Sequence, residues 1–184
     1  MFKKTLIFSA LILSLLFQGC SDKKDGDNSM IATNKFELND LVKTSHTVVK
    51  EGNNFSLEGA EGKVVIFDIF ATWCPPCRAE ASHLASLQKK YKDNLVIAGL
   101  SIQKDLTPAD IMDFKKQYGA DYMMFVSDNN RKLAFAIAST LEGLESDFPI
   151  PLMVMYKDGK LINYYVGATP EEFIESDIKK ALGK

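Results

Sequence analysis

Phe67-Asp68-Ile69-Phe70-Ala71-Thr72-Trp73-Cys74-Pro75-Pro76-Cys77 is the stretch on which the reading of this chain turns. Its first half continues Val64-Val65-Ile66, a β-branched and aromatic run apolar on both faces, the pattern of a fully buried central strand. Pro75 and Pro76 then stand where a helix begins, since a first-turn proline gives up only an N–H that had no intrahelical partner. The two cysteines therefore fall at a strand-to-helix junction with both sulfurs on one helical turn. Cys74 is set at the helix N-terminus, where the dipole favours a thiolate. That arrangement suits thiol–disulfide exchange, in which Cys74 attacks and Cys77 resolves the mixed disulfide.

Other uses of a Cys-x-x-Cys pair fit less well. A bridge across two residues closes too short a loop to stabilise a fold much. Zinc needs more thiolates or imidazoles than are at hand, because the only other cysteine is Cys20, which follows the N-terminal apolar segment and is the expected acylation site. Arg78 follows Cys77, where a haem-attachment motif needs His.

Working outward, Phe36–Leu41, Thr47–Lys50 and Phe55–Leu57 have strand composition, and an EGAEG turn leads into the buried strand over 63–70. Ala81, Leu84, Leu87 and Tyr91 form an apolar stripe at helical spacing. Leu95–Ile102 is a second buried strand. Thr107-Pro108 predicts a cap and a helix to Tyr118. Tyr122–Val126 reads as a strand and Asn130–Ala138 as a short helix. Leu152–Tyr156 and Leu161–Val166 flank Lys157-Asp158-Gly159-Lys160, a hairpin turn. Thr169-Pro170 repeats the cap signal and opens a helix to Leu182. The order argues an α/β sandwich on a mixed sheet.

The 67–77 segment resembles the active-site segment of the thioredoxin superfamily, and within it the TlpA/ResA/CcmG-like branch of membrane-tethered disulfide reductases. The resemblance spans Phe36 to Leu182. It implies a thioredoxin-like three-layer sandwich with an N-terminal β-hairpin extension. It also implies that Asp68, six residues before Cys74, takes the proton of the resolving cysteine. Ile150-Pro151 matches the cis-proline loop that faces the cysteines. Trp73 and Pro76, with Ile150 and Pro151, are the expected substrate-binding residues. Glu80, in Trp-Cys-x-x-Cys-x-x-Glu, is characteristic of the tethered branch. No cofactor and no metal are implied. Where the superfamily usually carries a kinking proline, five residues after the second cysteine, this chain has Ser82, which predicts a straighter helix.

Spacing bears on the two acids separately. Glu80 shares a helical face with Cys77, Ala81, Leu84 and Leu87, so burial should raise its pKa; the other reading is a first-turn acid facing the helix dipole. Asp68 lies in an otherwise apolar strand, where an unused carboxylate is costly, although a hydrogen-bonded structural acid is the other possibility.

Pro75 and Pro76 cannot donate an N–H to the Cys74 sulfur, which leaves mainly the Cys77 N–H. There is no His between the cysteines, and Asp68 adds negative charge nearby. All three raise the thiol pKa and favour the disulfide, making the dithiol a reductant.

The N-terminus reads as an address. Lys3 and Lys4 precede Leu6–Phe17, apolar but for Ser9 and Ser14. That run is only about 18 Å long as a helix, against roughly 30 Å for a bilayer core, so it predicts a signal segment over 1–19. Gln18-Gly19-Cys20 resembles the lipobox of bacterial lipoproteins, with Phe17 where Leu is usual, and implies acylation of Cys20. Residues 20–35 read as anchor and tether, and 36–184 as the catalytic domain. The expected location is extracytoplasmic, facing the periplasm.

The 184 residues fit one domain with an appendage. With 22 basic against 24 acidic residues, nothing suggests nucleic-acid binding. The expected partners are protein disulfides, with apocytochrome c the substrate the resemblance suggests, and a transmembrane electron donor; the chain is expected to be monomeric. An oxidase or isomerase of the same fold is the alternative, although the residues between the start of the tether and the core strand are too few for an isomerase's dimerisation module. A copper-binding SCO-like lipoprotein needs a downstream His, and only His46 and His83 are present. Met123-Met124 and Met153-Met155 read as core filling.

Overall fold

The computed structural model describes residues 34–144 and 147–184. The signal segment, Cys20 and the tether to residue 33 lie outside the described residues. β1 already includes Lys35, the last residue of the expected tether.

Strands β1 (Lys35–Asn39), β2 (Ser45–Glu51) and β3 (Asn54–Leu57) form an antiparallel sheet in that order. The expected hairpin thus gains a third strand, and β3 turns back onto β2 rather than onto the strand that follows it. The remaining strands are β4 (Val64–Phe70), β5 (Leu95–Ser101), β6 (Met123–Phe125), β7 (Leu152–Lys157) and β8 (Lys160–Val166). They make a mixed sheet ordered β6-β5-β4-β7-β8, with β4, β5 and β6 parallel and β7 and β8 antiparallel to their neighbours. The helices are α1 (Pro75–Lys90), α2 (Pro108–Tyr118), α3 (Asn129–Ala138) and α4 (Glu171–Ala181).

Because side chains alternate along a strand, β4 feeds two cores. Val65, Phe67 and Ile69 pack with Leu133, Ala134 and Ile137 of α3 and with the small sheet. Val64, Ile66 and Phe70 pack with Ala81, Leu84 and Leu87 of α1, Ile111 and Phe114 of α2, and Ile174 and Ile178 of α4. This is the expected three-layer arrangement, and the α1 core carries Met124, Met153 and Met155, all buried. Asp68 shares the parity of Ile66 and Phe70, so β4 aims it at the α1 side.

Asp158 and Gly159 both have positive φ, 50° and 78°, as a two-residue hairpin turn of this twist requires. The Gly159 carbonyl also accepts the Phe55 N–H at 2.9 Å, fastening the small sheet to the β7–β8 turn.

The two Thr-Pro signals part company. Thr107 caps α2 with a full capping box: its Oγ1 accepts the Asp110 N–H, and Asp110 accepts the Thr107 N–H at 2.9 Å. At α4, Pro170 takes the cap position without a side-chain bond, and Thr169 Oγ1 donates instead to the Gly167 carbonyl. The reason is tertiary. The Thr169 N–H, which a box would need, is held by Glu80 Oε1 at 3.0 Å. Thr107→Ala is therefore expected to cost about 1 kcal/mol, and Thr169→Ala less than about 0.5 kcal/mol, in urea unfolding.

Candidate active site

Cys74 is the N-cap of α1, in an extended conformation (φ −77°, ψ 115°), and its Sγ accepts the Cys77 N–H at 3.4 Å. Pro75 and Pro76 follow at the first two helical positions, so the amide that reaches the sulfur is the one the sequence leaves available. No acid occupies the first turn of α1, while Lys89 and Lys90 sit in its last, so flanking charges leave the positive N-terminal end of the dipole unopposed. Cys74 and Cys77 form a disulfide with Cα atoms 5.3 Å apart, and both are buried.

The Ile150–Pro151 peptide is cis. Its loop faces the cysteines: Cys74 Sγ lies 3.8 Å from the Ile150 carbonyl oxygen, an acceptor that only the reduced thiol could address. Pro151 is buried and its carbonyl accepts the Gly167 N–H at 2.8 Å. Trp73 is 60% exposed, and Pro75 and Pro76 are exposed beside it. The segment before the cysteines is pinned from two sides: Thr72 Oγ1 donates to Gln103 Oε1 at 2.6 Å, and Arg78 Nε donates to the Thr72 carbonyl at 2.7 Å. The Arg78 guanidinium also lies over Tyr118, 5.3 Å from the ring centroid.

On the core side stand two acids, Asp68 and Glu80, each only 3% exposed. Burial raises Asp68 from 3.8 to about 6, partly offset by the Tyr122 hydroxyl, which donates to Asp68 Oδ2 at 2.8 Å. Burial likewise raises Glu80 from 4.5 to about 7; the Thr169 N–H pulls it down and the Asp68 charge adds a push upward. Glu80 sits in the second turn of α1, facing inward, so the reading of it as a first-turn acid facing the helix dipole does not hold. Its Oε2 has no hydrogen-bond partner among the described residues. A cavity of about 240 Å³ adjoins it, lined by Ala79, Glu80, His83, Ala168, Thr169 and Pro170. The acids feel each other's charge, so their titrations are coupled and belong to the pair.

Sequence reasoning missed Tyr122, Thr169, Gln103 and the placement of Arg78. The one available signal for Tyr122 was Gly99, a glycine inside a buried strand, which marks a close approach. Gly99 pairs with Asp68 in register, and a Cβ there would lie 2.9 Å from Met124 Cγ and 3.4 Å from the Tyr122 ring. Among the described residues the histidines make no hydrogen bond to the cysteines, although His83 lines the cavity beside Glu80. His46 pairs with Asp40 at 3.1 Å and packs on Phe125, and His83 is exposed on α1. Among the described residues no group of three or more His, Cys, Asp or Glu could hold a metal ion, and no helix is long and apolar enough to cross a membrane.

Comparison with known proteins agrees with this geometry. The Redoxin family profile matches residues 32–182. The thiol-disulfide oxidoreductase ResA of Bacillus thuringiensis (strain Al Hakam) is 28% identical over 177 residues, covering 95% of this chain and 91% of that protein. A thioredoxin-family thiol:disulfide interchange protein from Chlorobium tepidum TLS has a TM-score of 0.63 at 21% identity, over 82% of this chain and 94% of its own. BsSco, a member of the Sco family of cytochrome c oxidase assembly proteins, has a TM-score of 0.60 at 19% identity, over 80% and 91%. The two structural likenesses show a shared fold.

The buried acids have a consequence for stability. Both have folded-state pKa values above their ordinary ones, so their contribution is fully present below about pH 4 and is lost as pH rises through about 6 and 7. Glu175 and Asp177, each lowered to about 2 by Lys partners on α4, act in the opposite sense and only on acidification. Between pH 5 and 7.5 the oxidised protein is therefore expected to lose stability, on the order of 3 kcal/mol. Urea unfolding at the two pH values should show a smaller loss in Asp68→Asn and in Glu80→Gln; equal loss in all three proteins would contradict the assignment.

Proposed function

Since the chain belongs to the Redoxin family and is a thiol-disulfide oxidoreductase of the ResA type, we propose that it works as an extracytoplasmic, lipid-anchored protein-disulfide reductase. The observation that carries the direction is the single, 3.4 Å N–H that addresses the Cys74 sulfur, with two buried acids behind the pair. Few donors and nearby negative charge disfavour a thiolate, so the dithiol gives up its electrons readily.

In the reduced protein the Cys74 thiolate, formed at the α1 N-terminus, attacks a substrate disulfide. A bond forms between Cys74 Sγ and one substrate sulfur, and the other substrate sulfur leaves as a thiolate. Trp73, Pro76, Ile150 and Pro151 form the rim against which the substrate rests. The Cys77 thiol then passes its proton to the buried pair, Asp68 with Glu80, and attacks Cys74 Sγ. The Cys74–Cys77 disulfide closes and the second substrate sulfur departs. Two electrons have moved from the protein dithiol to the substrate disulfide. A dithiol electron donor spanning the membrane restores the reduced state.

Residues 1–19 supply the export signal, acylated Cys20 the anchor, and the following residues the tether. Residence in an oxidising compartment explains why a reductant would need such a donor. Apocytochrome c, whose haem-binding cysteines must be reduced, is the proposed substrate, met by a monomeric enzyme that uses no cofactor.

Catalytic amounts of the protein are expected to accelerate insulin reduction by dithiothreitol. Cys77→Ser should strand partners as mixed disulfides on Cys74 and lose turnover, while Cys74→Ser traps nothing. Equal trapping by the two variants would show that the nucleophile is misassigned. In the same cells Cys20→Ser should move the protein from the membrane to the soluble fraction.

A further inference from the structure

The buried face of β4 poses a question that the proton-transfer reading leaves open: what keeps Asp68 in place and usable. The direct partner of its carboxyl is a neutral phenol. Tyr122 Oη donates to Asp68 Oδ2 at 2.8 Å, from a residue 54 positions along the chain. The ring reaches that position because Gly99, the register partner of Asp68 on β5, has no side chain. A Cβ at Gly99 would come within 2.9 Å of Met124 Cγ, 3.2 Å of the Phe70 ring and 3.4 Å of the Tyr122 ring. Behind Tyr122, Lys115 of α2 donates its Nζ to the Tyr122 carbonyl and sits 5.9 Å from the ring centroid. Tyr122 is buried on all sides, and a phenylalanine would fill the same space. The hydroxyl itself therefore calls for a use, and Asp68 is the partner it meets.

We infer that Tyr122 is a positioning residue for the second half of the exchange: its hydroxyl holds Asp68 Oδ2 and sets the pH at which that carboxyl is free to accept the Cys77 proton. This rests on the reading of Asp68 as proton acceptor. A donated hydrogen bond stabilises the ionised carboxylate against the burial that opposes it. The charged and titratable groups around the pair are Glu80 on α1, which pushes Tyr122 toward its protonated form and is itself pushed that way by Asp68, the active-site cysteines, and Lys115, whose charge faces Asp121. Lys115 meets Tyr122 through the carbonyl and the ring, leaving the phenol as the group that addresses Asp68.

The test uses the protein's own reporter. Trp73, the sole tryptophan, precedes Cys74, and its fluorescence can follow the reduced full-length protein reacting with oxidised glutathione in stopped flow from pH 5 to 9. Tyr122→Phe is expected to move the inflection assigned to Asp68 upward by about one to two pH units, the worth of a hydrogen bond to a charged group. Replacing Tyr122 with 3-fluorotyrosine, a stronger donor of the same shape, should move it downward, and this keeps the test open if the phenylalanine variant folds poorly. Asp68→Asn should remove the inflection, after which Tyr122→Phe should shift nothing further. An unmoved inflection in both Tyr122 variants, with Asp68→Asn removing it, would overturn the role of Tyr122 alone. Glu80 and the cysteine thiols keep their own inflections in Asp68→Asn; if the inflection that the Tyr122 variants move also survives Asp68→Asn, the reading of Asp68 is overturned and this inference with it.

Discussion

A carboxyl group held in the middle of the central sheet sets the terms for the rest of this molecule. Asp68 stands in β4 between Ile66 and Phe70, nearly sealed from water, on the face that α1 covers. Ionising an acid there is costly, and a cation could have offset that cost. The structure answers with a phenol instead. Tyr122 satisfies one carboxylate oxygen without neutralising the charge, so the acid remains close to its own titration point at neutral pH. Glu80, brought to the same side by the α1 stripe, is raised further and feels Asp68 electrostatically. Two acids poised near neutrality on the core side of a dithiol fit the need of the resolving step, which must take a proton from a buried thiol.

The outer side of the dithiol is built on different principles. Cys74 gains from the end of a helix dipole and one amide, and the two prolines withhold the further amides that would steady a thiolate. The surrounding wall is fixed by bonds that converge from separate elements. Gln103 holds Thr72, Arg78 holds the Thr72 carbonyl, and Gly167 holds the Pro151 carbonyl. The bond from Thr169 to Glu80 also joins the two sides: it places one acid, and it removes the amide that would have completed a cap for α4. The start of the last helix is thus adjusted to the active site.

How much of this the sequence disclosed follows from the range of each interaction. The strand-to-helix junction, the first-turn prolines and the stripe through Ala81, Leu84 and Leu87 are local patterns, and the helix and its cysteines stand where those patterns put them. The hairpin turn at Asp158-Gly159 was legible for the same reason. Glu80 was half legible: helical spacing put it on the buried face, but its carboxylate's partner comes from residue 169. Thr107 and Thr169 begin the same two-residue signal, and the distant Glu80 separates their outcomes. Tyr122 was barely legible as a site residue: Gly99 marks a close approach without naming what approaches, and the strand pattern around Tyr122 is satisfied equally by any large aromatic. Its meaning arises only when parallel pairing of β4 and β5 sets Gly99 beside Asp68.

The proposal that the Cys74–Cys77 couple is poised as a reductant stands or falls on its reduction potential at pH 7. Equilibrating the protein with defined ratios of dithiothreitol to its disulfide, and reading Trp73 fluorescence, would give the value. A couple poised as a reductant should have a potential well below that of the glutathione-linked oxidants, near the roughly −270 mV of thioredoxin. A potential near about −120 mV, that of a strong dithiol oxidant, would contradict it.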